Sequence, residues 1–189
     1  NHFEIVLCHK DGTQKVIYDE KSPTYVERPS LDIIRFIDGD RFLVQNETAT
    51  GWNHIYLYSV EKGLVRPLTS GEWQVTGIVE TTDKAIYYTS TETSPIRRNL
   101  YSIDYKGKKK TRLTELDGTY SISPSKGMKY YISTFTSASE GRLVELRNGK
   151  GELIRTLVEN TELNEKLKTL PKKEFFTFTT SDGVELNGW

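Results

Sequence analysis

The chain has 189 residues, 35% hydrophobic and 28% charged, which is the composition of an ordinary globular chain rather than a disordered or fibrous one. Its 26 Lys and Arg balance 26 Asp and Glu, and a net charge of zero argues against a nucleic-acid partner, since binding phosphate needs a basic surface. The single cysteine excludes an internal disulfide, and no apolar run approaches the ~18 residues that a membrane helix needs.

Taken in order, Phe3–Cys8 and Lys15–Asp19 flank the turn Lys10-Asp11-Gly12-Thr13 and are expected to form a hairpin. Consecutive apolar residues in Phe3–Cys8 suggest a strand covered on both faces, with Cys8 as a small buried hydrophobe. Only two residues precede this strand, so the N-terminus reads as a cut, and a missing leader then says nothing about export. A loop with two prolines, Lys21 to Ser30, follows.

Four strands come next, at Ile33–Ile37, Arg41–Asn46, His54–Val60 and Leu64–Leu68. The same series is then read at Gln74–Val79, Ala85–Ser90, Leu100–Tyr105 and Lys110–Leu113, with a longer loop, Thr91 to Arg98, in its middle. A third series is read at Tyr120–Ser123, Lys129–Phe135, Leu143–Arg147 and Leu153–Leu157. Asn160 or Thr161 is placed to cap a short helix, Glu162 to Thr169, which Pro171 stops. Phe175–Thr179 and Val184–Gly188, joined by Ser181-Asp182-Gly183, read as a last hairpin outside the pattern.

The series are copies of one unit. Leu57-Tyr58-Ser59 aligns with Leu100-Tyr101-Ser102, 43 residues on (57 to 100). Each copy has a glycine turn, Gly63 and Gly107, and closes on a Leu-Thr pair, Leu68-Thr69 and Leu113-Thr114; a degraded third copy has Asn148-Gly149 and Leu157. The preceding strands Arg41–Val44, Ala85–Tyr88 and Lys129–Ile132 step by 44 (41 to 85 to 129). A period of about 40–50 residues with four strands per unit is the signature of a β-propeller. Such sheets cannot stand alone in water and bury their faces by stacking. The expected fold is therefore all-β: about three four-stranded blades in an open arc, then a short helix and a hairpin. The expected division is residues 1–159 for the propeller (a partial blade 1–20 and blades at about 31–69, 73–114 and 119–158), and 160–189 for a linker helix and the start of another domain. The apolar blade faces at the ends of the arc make self-association the expected behaviour.

Catalytic chemistry is missing from the pattern. The nearest approach to a Gly-x-Ser-x-Gly elbow, Ser137-Ala138-Ser139-Glu140-Gly141, lacks the first glycine and falls between strands. No phosphate loop or dinucleotide fingerprint is present, and no His–Cys spacing suits zinc, so neither cofactor nor metal is implied. His54 reads as a structural hydrogen bonder, Trp52 and Trp73 as blade packing, and the lysines at 106 and 108–110 as a solvated turn. Glu27 and Arg28, in a proline-bracketed loop ahead of a blade's first strand, are the candidate substrate-binding residues, because a loop there can reach a central channel.

Three stretches, Gly51-Trp52-Asn53-His54-Ile55-Tyr56-Leu57-Tyr58, Leu68-Thr69-Ser70-Gly71-Glu72-Trp73 and Arg98-Asn99-Leu100-Tyr101, resemble the later propeller blades of the dipeptidyl peptidase IV family of serine peptidases. The exit resembles it too, in Leu157-Val158-Glu159-Asn160, Lys172-Lys173-Glu174-Phe175-Phe176 and Asp182-Gly183-Val184-Glu185-Leu186-Asn187-Gly188-Trp189. The resemblance implies a fragment of an eight-bladed ring followed by the first hairpin of an α/β-hydrolase domain. It also implies release of N-terminal Xaa-Pro or Xaa-Ala dipeptides, peptide as the partner, and a secreted or periplasmic location. The triad would then lie outside this chain, which alone would not be an enzyme. The family lends an aromatic and an Arg to the substrate pocket from such a loop; Arg28 fits by position, whereas its neighbour is Glu27, not an aromatic. The alternative is a non-enzymatic propeller scaffold.

Overall fold

A computed structural model describes residues 1–26 and 34–189. The strands are β1 (His2–Cys8), β2 (Gln14–Lys21), β3 (Ile34–Phe36), β4 (Arg41–Asn46), β5 (His54–Ser59), β6 (Gly63–Pro67), β7 (Val75–Thr81), β8 (Ala85–Ser90), β9 (Asn99–Asp104), β10 (Thr111–Arg112), β11 (Thr119–Pro124), β12 (Tyr130–Thr136), β13 (Leu143–Asn148), β14 (Leu153–Val158), β15 (Phe176–Thr179) and β16 (Glu185–Gly188). A 3-10 turn, Lys126–Met128, precedes β12, and one helix, α1 (Thr161–Leu167), follows β14. The sheets are the hairpin β1–β2, three four-stranded meanders (β3 to β6, β7 to β10, β11 to β14) and the hairpin β15–β16. Among the described residues the pairing within each sheet is antiparallel, and a parallel bridge joins Arg98 to Thr119 of β11. This is the expected all-β architecture, with open rather than closed sheets.

Stacking of sheets supplies the core. Ile17 and Tyr18 of the first hairpin pack on Phe42 and Val44 of β4. Leu43, between those two, turns the other way and joins Ile55, Leu57 and Leu68 against Val75, Ile86, Tyr88, Tyr101 and Ile103 of the second meander. Leu100 and Leu113 then meet Met128 and Tyr131 of the third. Alternation along a strand explains why one strand serves two interfaces, and each such side chain contributes about 1.5–3 kcal/mol on burial.

Backbone bonds repeat between meanders as well. Val75 N donates to Asn53 O at 2.8 Å, and Tyr120 N donates to Arg98 O at 2.9 Å, so each first strand is tied to the residue ahead of the previous sheet's third strand. Gly63, Gly107 and Gly151 stand 44 residues apart at the same turn, with φ of 73°, 72° and 91°, a region that a side chain would strain. In the third sheet the turn glycine in register is thus Gly151, not Gly149.

Two spacings shift on inspection. His54 and Asn99 open β5 and β9, so these strands are related by 45 residues (54 to 99) rather than 43. That two-residue difference leaves every side chain on its face. The step from β8 to β12 is also 45, because Tyr88 pairs with Tyr101 and Ser133 with Glu145. The 3-10 turn, with Met128 at φ 54°, takes up the extra residue. A slip of one residue inverts a strand: Ser133 is buried in the position of Tyr88, and Ile132, which the 44-residue step places there, is 40% exposed.

Three further expectations are corrected. Cys8 is exposed, because β1 alternates exposed and half-buried residues and packs on one face only. Trp52 lies at the surface beside the turn at Gly51, outside the stacked cores. Asn160 occupies the N-cap position of α1 in a left-handed conformation without capping it, its side-chain amide donating instead to Arg142 O.

Candidate functional site

Glu27 and Arg28 lie outside the described residues. Beside that stretch, Tyr25 is 67% exposed, and β3 carries Arg35, whose Nη1 stands 3.9 Å from Glu80 Oε1 on β7. The other Glu80 oxygen accepts Gly127 N of the turn ahead of β12 at 3.4 Å. One carboxylate therefore touches the first strands, or the turn that follows one, in all three meanders. Arg35 and Glu80 are one blade step apart, 45 residues (35 to 80), each the lone charge in a first strand, and that spacing is the signal in the sequence that could mark the pair.

His54 is held as a structural residue. It is buried, with Nδ1 3.1 Å from Thr69 Oγ1 and Nε2 2.9 Å from the carbonyl of Gly71. The indole of Trp73 meets its ring edge-on at 4.9 Å. Both nitrogens are committed, so the ring has no position left for abstracting a substrate proton. Trp73 packs half-buried against the core, as blade packing requires. The Ser137–Gly141 stretch is a loop between β12 and β13, where Ser137 Oγ accepts Ser139 N and Glu140 N at 3.3 and 3.1 Å. That hydroxyl caps a turn and faces no histidine among the described residues.

The acid–imidazole contact that does exist is at the chain's first strand. His2 Nε2 lies 2.9 Å from Asp19 and 3.3 Å from Glu4, three exposed side chains with ligand-type atoms near one another. Lys21 also holds Asp19 at 3.0 Å, and the ammonium lowers that carboxyl below the usual range. A cation there would compete with lysine for the same oxygens.

The geometry therefore offers a stacked-sheet platform with a polar edge along its first strands, and no catalytic centre among the described residues. Comparison with known proteins gives this platform a context. The family model of the dipeptidyl peptidase IV (DPP IV) N-terminal region matches residues 1–140. A dipeptidyl peptidase 4 from Arthroderma otae is 35% identical over 190 residues, covering 96% of this chain and 23% of the relative. A probable dipeptidyl peptidase 4 from Emericella nidulans is 35% identical over 194 residues, covering 97% of this chain and 24% of the relative. The crystal structure of Porphyromonas gingivalis dipeptidyl peptidase 4 superposes with a TM-score of 0.88 at 35% identity, covering 99% of this chain and 27% of that one. The chain thus spans about a quarter of the length of the relatives it matches.

Proposed function

The chain belongs to the dipeptidyl peptidase IV family, and we propose on that premise that it is the propeller side of a serine exopeptidase. In this reading the stacked sheets line and gate a channel through which peptides reach a catalytic triad carried outside these residues. The triad removes N-terminal Xaa-Pro or Xaa-Ala dipeptides. Residues 160–189 form the passage from the propeller into an α/β-hydrolase domain, and the enzyme works in the periplasm or outside the cell. Arg28, with Glu27 beside it in the sequence, holds the peptide.

The single observation that carries this reading is the extent of the likeness. It runs over nearly the whole chain, from the first hairpin through the helix to β15–β16, in one relative after another and in a solved structure.

The test is to incubate the purified chain, and separately a longer protein that extends it by a hydrolase-sized domain of about 200 residues, with Ala-Pro and Gly-Pro chromogenic amides. Turnover by the longer protein alone is expected. Turnover by the short chain that tracks its own mutation would overturn the division of labour, and an inactive longer protein would remove the peptidase reading.

A further inference from the structure

Two contacts fasten the segment that leaves the third meander. The first is at Gly141, where a Cβ would come within 3.0 Å of both the Asn164 amide oxygen and the Leu163 side chain. Because glycine stands there, α1 lies directly on the β12–β13 loop, and Gly141 N donates to Asn164 Oδ1 at 2.6 Å.

The second contact is farther along. After α1 the chain makes only local turn bonds, Thr169 N to Lys166 O and Leu170 N to Leu167 O. Among the described residues, 171–175 make no backbone hydrogen bond to the sheets. What reaches across is Arg97. Its guanidinium sits over the Phe175 ring at 4.8 Å. The same group donates from Nε and Nη2 to the two Asp117 oxygens at 2.7 and 3.1 Å. A planar fork can satisfy a carboxylate in its plane and present its face to an aromatic at the same time, which an ammonium cannot.

The Arg97 side chain is only 17% exposed although it belongs to a loop. The loop itself is stiffened by Ser94 N to Thr91 O, Arg97 N to Ser94 O and Thr93 Oγ1 to Asn99 Oδ1. Asp117 lies in the connection between the second and third meanders. The 91–98 loop and the link between the two sheets are held side by side by the parallel bridge between Arg98 and Thr119, and Arg97 adds to them the exit segment, which has no strand pairing with either.

We propose that Arg97 is a positioning residue, anchored by Asp117, that grips Phe175 and fixes the course of the segment leading from α1 into β15–β16. It explains the longer 91–98 loop as the arm that carries the guanidinium to the exit. The proposal stands apart from the catalytic reading, since it concerns contacts within this chain and is tested without activity.

The experiment is NMR on the isotope-labelled chain, joined to timed trypsin cleavage after Lys172 and Lys173. In the parent chain the Arg97 Nε–H resonance carries two contributions, a downfield one from the Asp117 bond and an upfield one from the face of the Phe175 ring. Phe175→Leu should remove the ring's contribution and leave only that of the Asp117 bond, moving the resonance downfield, with the β8 and β9 amides unmoved. Losing one cation–π contact should also speed cleavage by about fivefold, and Phe175→Tyr should restore both readouts. An Arg97 resonance that Phe175→Leu leaves in place, or a cleavage rate that it leaves unchanged, would overturn the proposal. So would an Arg97→Ala variant that disturbs β8–β9 and lowers Tm while Phe175→Leu does nothing, because Arg97 would then merely pack its own loop.

Discussion

His54 occupies in the first meander the place that Asn99 occupies in the second, and both side chains reach the hydroxyl of a threonine fifteen residues later. The His54–Thr69 distance is 3.1 Å and the Asn99–Thr114 distance 3.2 Å. Each threonine oxygen also accepts the backbone N–H of the next residue in the third strand, Ile55 at 2.9 Å and Leu100 at 3.0 Å. The leucine before it donates its own N–H back to the same residue's carbonyl, Leu68 to Ile55 O and Leu113 to Leu100 O, both at 2.8 Å. The recurring Leu-Thr is thus a clasp that ends a blade: leucine supplies core and ladder, and threonine satisfies a donor that the ladder has run out of strand to pair. In the third meander the equivalent of Thr114 is Val158 (44 residues on), which has no hydroxyl to offer.

Thr69→Val should therefore be costly although it keeps shape and volume. It leaves the buried Ile55 N–H without its acceptor and removes a partner from His54, a loss of about 1–3 kcal/mol for an unsatisfied buried donor. Thermal unfolding should show a drop of about 2–4 °C per kcal/mol for a chain of this size. His54→Asn, which copies the second meander, should lose less than His54→Ala. Equal losses in the two histidine variants would mean that ring packing against Trp73, not the threonine bond, is what His54 contributes.

Asp38 is one of the carboxylates through which the fold responds to acid. Its carboxylate accepts Arg41 N at 2.7 Å, Asp40 N at 3.0 Å and Arg41 Nε at 2.8 Å. These bonds, the backbone N–H of Arg41 first, hold its pKa down at about 2, against an ordinary value of 3.8. Between about pH 4 and pH 2 the unfolded chain binds the proton and the folded chain does not, so stability rises with pH through that window. The contribution is complete above about pH 4 and lost as pH falls toward 2. Denaturant melts of Asp38→Asn and the parent should converge at pH 2 and separate by pH 5; a constant gap across the window would assign the turn's stability to something other than this charge.

Much of the fold could be read directly because its signals are local. Period-2 alternation, the Leu-Thr clasp and the turn glycines Gly63 and Gly107 each report a backbone requirement at the residue that meets it. What escaped was whatever depends on where a strand's alternation starts or on who lies beside it. Ile132 faces outward because the turn at Met128 holds one extra residue, a count that sequence spacing alone does not display. Cys8 is exposed because the hairpin is covered on one side only. Arg35 and Glu80 stand one blade step of 45 residues apart (35 to 80), but which charged pair meets across neighbouring first strands depends on packing. The Arg97–Phe175 pair joins residues with no shared period, so no window along the chain could have shown it. His54, by contrast, is legible as a structural hydrogen bonder, and both its nitrogens are bonded within the fold.

Arg28 carries the substrate side of the proposed function. A guanidinium there would donate two hydrogen bonds to peptide carbonyls or a carboxylate away from the reacting carbon. Such a contact is equal in ground and transition states, and its loss raises KM without lowering kcat. In a longer protein that turns over the Ala-Pro amide, Arg28→Ala should raise KM several-fold, about 1–2 kcal/mol for a charged hydrogen bond, with kcat within about twofold. Steady-state kinetics that show an unchanged KM would remove Arg28 from the site, and a collapsed kcat with a lowered Tm would make it a structural residue.

The last prediction follows from the slip at Ile132. Ile132 and Tyr130 share one face of β12, 40% and 41% exposed, and their cross-strand partners are Leu146 and Asn148. In the first two meanders the corresponding face is covered by the next sheet, through Leu43 and Ile55 or through Leu100 and Leu113. The third meander has the same two-sided construction with one side in water, and apolar surface in water contributes about 25 cal/mol per Å² when it finds a partner. The purified chain should therefore self-associate, with light scattering giving a mass that climbs with concentration. Ile132→Glu places a charge at the centre of that face without touching the buried one, so it should return the chain to a monomer with an unchanged Tm. A parent chain that stays monomeric at the highest soluble concentration would show that this face is already covered, and an Ile132→Glu variant that associates as the parent does would move the contact to the opposite end, where Val6 and Val16 are exposed on the first hairpin.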